Sequence, residues 1–304
     1  MKNIKRYSRR RFSKKLLGCG LVVSVQPALI SCSKATVSDN TNDWQIGCWT
    51  RPWRDYPYQV AMDNIVAAGM KYVALTTAKS ETGRALTAAN TIAYAEQVGE
   101  EARKRDLKIT HVHAGVTIRP DTATPLLLKN TIDRIDVAGG KSLLLTNLGD
   151  EETYERCCKI VADACVYAAK KNISITLKVH GGMLMDGPML RRAAAKIEQP
   201  NLEIMYDTGN IVHYTGGKVN PVDDVATLDG MISSLSAKDY TTTLKGVVTP
   251  GDGDIDYPAF VSRLKKGGFK KGPILIEQVG KGDLDHTLAE AKKAKQFLEQ
   301  LFNA

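Results

Sequence analysis

A single (β/α)8 TIM barrel over residues 44–304, after an N-terminal signal peptide, is the fold that three features of this sequence predict. Eight short apolar runs alternate with eight longer segments of helical period, spaced at roughly thirty residues, the size of one βαβ unit. Runs such as Leu143–Leu145 and Ile274–Ile276 are apolar on both faces, as parallel strands covered by helices must be. From Cys32 onward the chain holds 273 of its 304 residues, close to the roughly 250 typical of an eightfold barrel. The alternative of an open doubly wound sheet lacks the GxGxxG turn expected after its first strand.

Residues 1–31 place Arg9, Arg10 and Arg11 before an apolar stretch, Leu16–Ile30, that is too short and interrupted for a membrane span. The arrangement resembles a bacterial twin-arginine signal peptide. Its end, Leu29–Cys32, resembles a lipobox, whose cleavage leaves Cys32 to carry lipid. Residues 32–43, rich in Ser, Thr, Asn and Asp, then form a flexible tether. The expectation is an exported bacterial protein, periplasmic or held at the cell envelope, touching the membrane only through its lipid anchor. The leader also distorts the charge: it holds eight basic residues and no acidic ones, so the formal +9 falls by eight to +1 from Cys32. A nucleic-acid surface is therefore not expected. Beyond the lipid site four cysteines remain, Cys48, Cys157, Cys158 and Cys165. With no CxxC or Cys/His zinc spacing they read as core thiols, although an oxidising compartment permits pairing.

The first barrel unit sets the strand Gln45–Trp49 before a helix over Tyr58–Ala68 that Gly69 stops. Tyr72–Thr76 precedes a helix over Ala88–Arg105, and Lys108–His113 precedes Pro125–Ala138, whose proline suits a first helical turn. Ser142–Thr146 leads to the long amphipathic Glu151–Lys171, and Ile173–Val179 leads to Pro188–Glu198. Leu202–Asp207 precedes Pro221–Leu228, and Met231–Lys238 precedes Tyr257–Lys266 with its Gly267-Gly268 stop. Pro273–Glu277 precedes the closing helix Asp285–Phe302. The segment GDGDID, Gly251–Asp256, superficially resembles a calcium loop but lacks the expected downstream glutamate, so it reads as a turn before the last unit.

A buried strand rarely ends on a charge unless its tip lines a cleft, because an unpaired ion removed from water is costly or changes protonation state. In such barrels that cleft lies at the C-terminal strand ends. The tips here are Trp49, His111, His113, Lys178, His180, Asp207, Asn210, Lys238, Asp239 and Glu277. Lys178, Asp207 and Glu277 are the candidate catalytic residues; Trp49, His113, His180, Asn210 and Lys238 are candidates for binding substrate. At least one of His111 and His113 is expected to pack rather than react, and Lys238-Asp239 reads equally as cleft or as solvated turn. Trp49, Trp53, Tyr56 and Tyr58 cluster after the first strand, where they would stack on a substrate ring or pack at the rim. No GxSxG or metalloprotease motif occurs.

Five segments carry a resemblance. ISITLKVHGG (Ile173–Gly182), YDTGN (Tyr206–Asn210), SAKD (Ser236–Asp239), GDGDIDY (Gly251–Tyr257) and ILIE (Ile274–Glu277) occur in the order and spacing of the xylose isomerase-like family of sugar isomerases and epimerases. The resemblance implies a barrel that commonly binds one divalent ion through glutamate, aspartate, histidine and glutamate, and that moves a proton beside a sugar carbonyl. Carried over residue by residue, Asp207 matches the family aspartate and Glu277 the last glutamate. Lys178 stands at the first glutamate and Ser236 at the histidine of a His-x-Lys-Asp motif.

A protonated lysine offers donors and no acceptor, so no metal cofactor is assigned. Were a divalent ion held, Asp207 and Glu277 would bind it, with His113 or His180 completing a displaced site. In the metal-free account, Lys178 lies near Asp207 and Glu277, keeps both ionised and polarises a carbonyl or enediolate oxygen while a carboxylate takes the adjacent proton. The expected function is a carbohydrate-active isomerase or epimerase acting on a sugar or keto-sugar. Alternatives are a sugar-binding lipoprotein on a degenerate enzyme scaffold and a lyase or hydratase on oxidised sugars. A phosphodiesterase or endonuclease lacks the histidines and aspartates it would need, and the near-neutral charge does not favour DNA.

Overall fold

The computed structural model describes residues 44–243 and 245–303; the leader, Cys32 and the tether lie outside the described residues. Eight parallel strands form a closed barrel: β1 (Trp44–Trp49), β2 (Tyr72–Leu75), β3 (Lys108–Val112), β4 (Ser142–Leu145), β5 (Ser174–Lys178), β6 (Leu202–Asp207), β7 (Ile232–Ala237) and, last in the chain, β10 (Gly272–Ile276). A short antiparallel hairpin, β8 (Asp239–Thr241) and β9 (Gly246–Val248), projects after β7. Around the barrel run α1 (Tyr58–Ala67), α2 (Ile92–Lys104), α3 (Thr124–Ala138), α4 (Tyr154–Ala169), α5 (Gly187–Ile197), α6 (Thr208–Thr215), α7 (Pro221–Ala226), α8 (Tyr257–Lys266) and α9 (Leu284–Phe302). Closure is made by β1 on β10, in register from Trp44 opposite Gly272 to Cys48 opposite Ile276.

All eight strand-helix units are present, with three departures. The second helix starts at Ile92 rather than Ala88, because the Thr91 hydroxyl caps it by accepting the Tyr94 N–H at 3.1 Å. The freed residues make a long loop at the barrel mouth. After β6 there are two helices, since Asp207 itself caps the unexpected α6. The hairpin β8–β9 fills a stretch for which the sequence predicts no element.

Because side chains alternate along a strand, every second residue points into the barrel. The interior is filled by Trp49, Ala74, Leu144, Met205 and Leu275, while the larger apolar core lies between strands and helices. Polar groups share the interior: Ser142 and Thr176 hydroxyls lie 2.6 Å apart, and Glu203 accepts from Ser174 at 2.7 Å. Cys48, Cys157, Cys158 and Cys165 are all buried. The aromatic cluster after β1 is packing: Trp53 and Tyr58 are buried, leaving Tyr56 exposed. Asp239 is no solvated turn either. It is fully buried and accepts backbone N–H groups of Tyr240, Gly251 and Gly253 at 2.8, 2.9 and 3.1 Å, so the calcium-like segment is a loop wrapped around one carboxylate.

Candidate active site

Glu277 follows β10 on the same pleat face as Leu275, which puts its carboxylate at the mouth of the barrel interior. Four side chains converge on it. Arg51 Nη1 and Lys238 Nζ donate to Oε1 at 3.1 and 3.3 Å; Ser236 Oγ donates to Oε2 at 2.6 Å, and Lys178 Nζ donates to the same oxygen. Burial disfavours its charge, yet Lys178 and Lys238 override burial and hold the carboxyl well below the usual range.

Lys178 closes β5 and is 4% exposed. Its ammonium meets Asp207 Oδ2 at 2.7 Å as well as Glu277. Burial opposes that charge; the two carboxylates outweigh it and raise the pKa, so the amine is an ammonium at neutral pH. Trp49, only 1% exposed, supports it with a ring centroid 6.0 Å from Nζ, and offers no open stacking face. Asp207 ends β6 and begins α6: Oδ1 accepts the Asn210 N–H at 2.8 Å, while the residue has no exposed surface. Burial raises its pKa against the pull of Lys178 and Lys238. Asn210 then ties Lys238 in place, accepting from Nζ at 2.7 Å and donating to the Val179 carbonyl at 2.9 Å.

The histidines separate by depth. His111 lies inside the barrel against Trp49, with Nε2 3.5 Å from Ser234 Oγ, and burial pushes its pKa down to about 3. His113 sits higher, between the hydroxyls of Thr76 and Thr146 at 3.5 and 3.4 Å; burial, then Arg84 and Lys178, lower it to about 3. His180 Nε2 is 2.9 Å from Tyr214 OH, and burial together with Lys178 takes it to about 4. Both mouth imidazoles are therefore neutral near pH 7.

The tertiary structure brings Lys178, Asp207, Glu277, Lys238 and Asn210 into one network and leaves Trp49 and His111 beneath it. Two arginines at the mouth were not anticipated. Arg51 follows the β1 tip by two residues, so extending the strand-tip rule slightly would have found it. Arg84 lies in the long loop after β2, and nothing local in the sequence marks it. A separate cavity of about 500 Å³ is lined by Gln45, Tyr72, Arg103, Lys108 and Lys141, near the N-terminal strand ends and away from this network.

The family resemblance implies a divalent ion held by four side chains at the strand tips. Among the described residues no group of three or more His, Cys, Asp or Glu side chains is arranged to hold a metal. An ammonium bridges the two carboxylates, and the Ser236 hydroxyl donates to Glu277 Oε2. The residues present do not fit a divalent ion between Asp207 and Glu277.

The model of the xylose isomerase-like TIM barrel family matches residues 62–301. The chain belongs to that family. Solved structures with the same architecture include a D-psicose 3-epimerase determined in the presence of D-fructose, 11% identical with a TM-score of 0.68, covering 86% of this chain and 100% of its own. A xylose isomerase domain protein from Planctomyces limnophilus is 18% identical with a TM-score of 0.68, covering 86% and 99%. A D-allulose 3-epimerase from Methylomonas sp. is 17% identical with a TM-score of 0.63, covering 84% and 97%. No curated protein matches the sequence. At such identities the likeness establishes that this xylose isomerase-like chain shares their fold.

Proposed function

We propose that this xylose isomerase-like barrel is a carbohydrate-active isomerase or epimerase. It transfers a proton beside the carbonyl of a sugar or keto-sugar, with the Lys178 ammonium in place of a metal ion. The observation that carries the reading is that ammonium, buried and paired with both Asp207 and Glu277 at the ends of three barrel strands. The family and the sugar epimerases of the same fold support the substrate class.

Lys178, Lys238 and Glu277 retain slight exposure at the mouth, whereas Asp207 has none. Glu277 is accordingly the proton acceptor and Asp207 the group that positions Lys178. As the substrate carbon loses its proton, its electron pair moves onto the carbonyl oxygen, which Lys178 and Lys238 stabilise as an enediolate. Their hydrogen bonds then shift from Glu277 to that oxygen, so Glu277 becomes more basic as it takes the proton. Return of the proton to the neighbouring carbon, with that carbon's hydroxyl proton passing to the enediolate oxygen, isomerises the sugar; a proton delivered instead from water at the open mouth to the opposite face of the same carbon epimerises it, Glu277 releasing the proton it took to solvent.

Solvent deuterium should enter the carbon beside the carbonyl across a keto-sugar panel, and exhaustive chelation should leave the rate unchanged. Glu277→Gln should lower exchange by about 10²–10⁴-fold while sugar binding persists. One divalent ion per purified chain, whose removal stops exchange, would refute the metal-free part. The saturation of Glu277 by four donors favours one other reading, a sugar-binding protein; tight sugar binding with no exchange on any panel member would establish it. The leader motifs further support an exported, envelope-anchored protein lipidated at Cys32. Labelled palmitate should be incorporated by the wild type and not by Cys32→Ala.

A further inference from the structure

We propose that the sugar taken by this site carries a carboxylate, bound by Arg84 with Arg51. This deepens the function proposed above and depends on it for the place of binding. Four cations, Arg51, Arg84, Lys178 and Lys238, gather at the mouth against two carboxylates. Glu277 is paired with Arg51 and both lysines, and Asp207 with both lysines. Among the described residues no acidic side chain pairs with Arg84, whose bonds run only to neutral acceptors: Nη1 donates to Thr76 Oγ1 at 3.3 Å and to the His113 carbonyl at 3.0 Å.

Arg84 is nevertheless built into place. Its N–H donates to Ser80 Oγ at 3.1 Å, the same hydroxyl donates to its carbonyl at 2.7 Å, and its backbone bridges Thr77. The guanidinium packs over Gly115, where a Cβ would come within 2.4 Å of Nε and displace it from this position. A half-buried guanidinium that feels the charge of Arg51 and has no acidic partner among the described residues is unfavourable unless an anion joins it. Burial and the neighbouring Arg51 charge both push the Arg84 pKa down, which is the same cost expressed as proton affinity. Arg51 has a donor to spare: its Nε is buried with no partner among the described residues. A planar carboxylate accepts forked bonds from such guanidinium groups, and it would hold one end of a sugar at the rim while the carbonyl reaches Lys178 and Glu277.

Titration calorimetry on the mature protein tests this with matched pairs: D-glucuronate against D-glucose, D-galacturonate against D-galactose, and D-fructuronate against D-fructose. At least one acid should bind ten or more times tighter than its neutral partner, with the gap narrowing at high salt. Arg84→Gln should remove the preference, each acid then binding no tighter than its neutral partner, and Arg84→Lys should keep part of it. The inference fails if no acid in the wild-type panel binds better than its partner, including a panel in which nothing binds, or if Arg84→Gln keeps the preference. Tighter binding of sugar phosphates than of the acids, with inorganic phosphate as an effective competitor, would replace the carboxylate by a phosphoester. The outcome is independent of turnover: an acid preference without deuterium exchange upholds the anion site and rejects the reaction.

Discussion

Lys178 is kept charged by two carboxylates rather than by water, so removing it leaves Asp207 with Lys238 alone and Glu277 with Lys238 and Arg51. Lys178→Met should destabilise the protein by roughly 3 kcal/mol, measured by urea unfolding, because two buried carboxylates then share fewer cations. Lys178→Glu changes the chemistry instead: three carboxylates would then converge, and the variant should take up a divalent ion, read as Mn2+ per chain, where the wild type does not. A wild type that binds Mn2+ as well as the variant would contradict the proposed role of the ammonium. Asp207 permits a finer division. Asp207→Asn keeps an oxygen to cap α6 but loses the charge facing Lys178, so helix content should hold while exchange activity drops; Asp207→Ala should cost about 1 kcal/mol more through the lost cap.

At the scale of elements, the site depends on strands whose spacing tolerates little. Gly47 lies in β1 against β2, and a Cβ there would sit 2.3 Å from the Tyr72 carbonyl oxygen. Gly47→Ala must therefore part the two strands, and we expect a loss of about 1–3 kcal/mol in thermal or urea unfolding; an unchanged midpoint would mean that the seam can relax. The loops differ in what holds them. The loop after β7 is organised by one buried carboxylate, Asp239, with Gly253 close enough that a Cβ would lie 2.1 Å from its Oδ1. The loop after β2 is organised by Ser80 and delivers Arg84 to the mouth. Helix α6 exists because the residue that ends β6 is also a good N-cap, so one aspartate sets both a helix start and the position of Lys178.

For the whole molecule, the buried imidazoles make stability depend on pH. His111 and His113 have pKa values near 3 and His180 near 4, against 6.5 when exposed. Between those limits the unfolded chain binds protons that the folded chain refuses, so stability falls as pH is lowered from about 6.5 toward 3. Asp207, raised by burial, acts in the opposite sense over part of that range. Asp224 and Asp239 are raised by burial as well, whereas Glu277, held low by its lysines, acts with the imidazoles. Because the exposed imidazole value of 6.5 lies between pH 5 and pH 7, the imidazoles dominate that window: the melting temperature should be lower at pH 5 than at pH 7, and His111→Gln should flatten the slope. An equal or higher melting temperature at pH 5 would show that these rings are not neutral in the folded state.

The barrel was legible in the chain because its causes are local and repeated: apolar runs, helical periods, and glycine and proline at their ends. The ion network was half legible for the same reason, since a charge closing a buried strand is an anomaly visible in one dimension, as at Lys178, Asp207 and Glu277. Depth was not visible. Trp49 and His111 occupy strand ends like the others, yet the stagger of the barrel sinks them below the mouth. Asp239 reads equally as cleft or as solvated turn from the sequence and proved to be the centre of a loop. Arg84 carries no local signal at all: it becomes a site residue only because a loop fold, a serine and a glycine from another unit place its guanidinium beside Arg51. Sequence alone thus determined the architecture and the residues at its rim, through short-range pattern. Tertiary structure decided which charges face one another and that Arg84 has no acidic partner among the described residues, because pairing depends on distances between segments that the chain order does not encode.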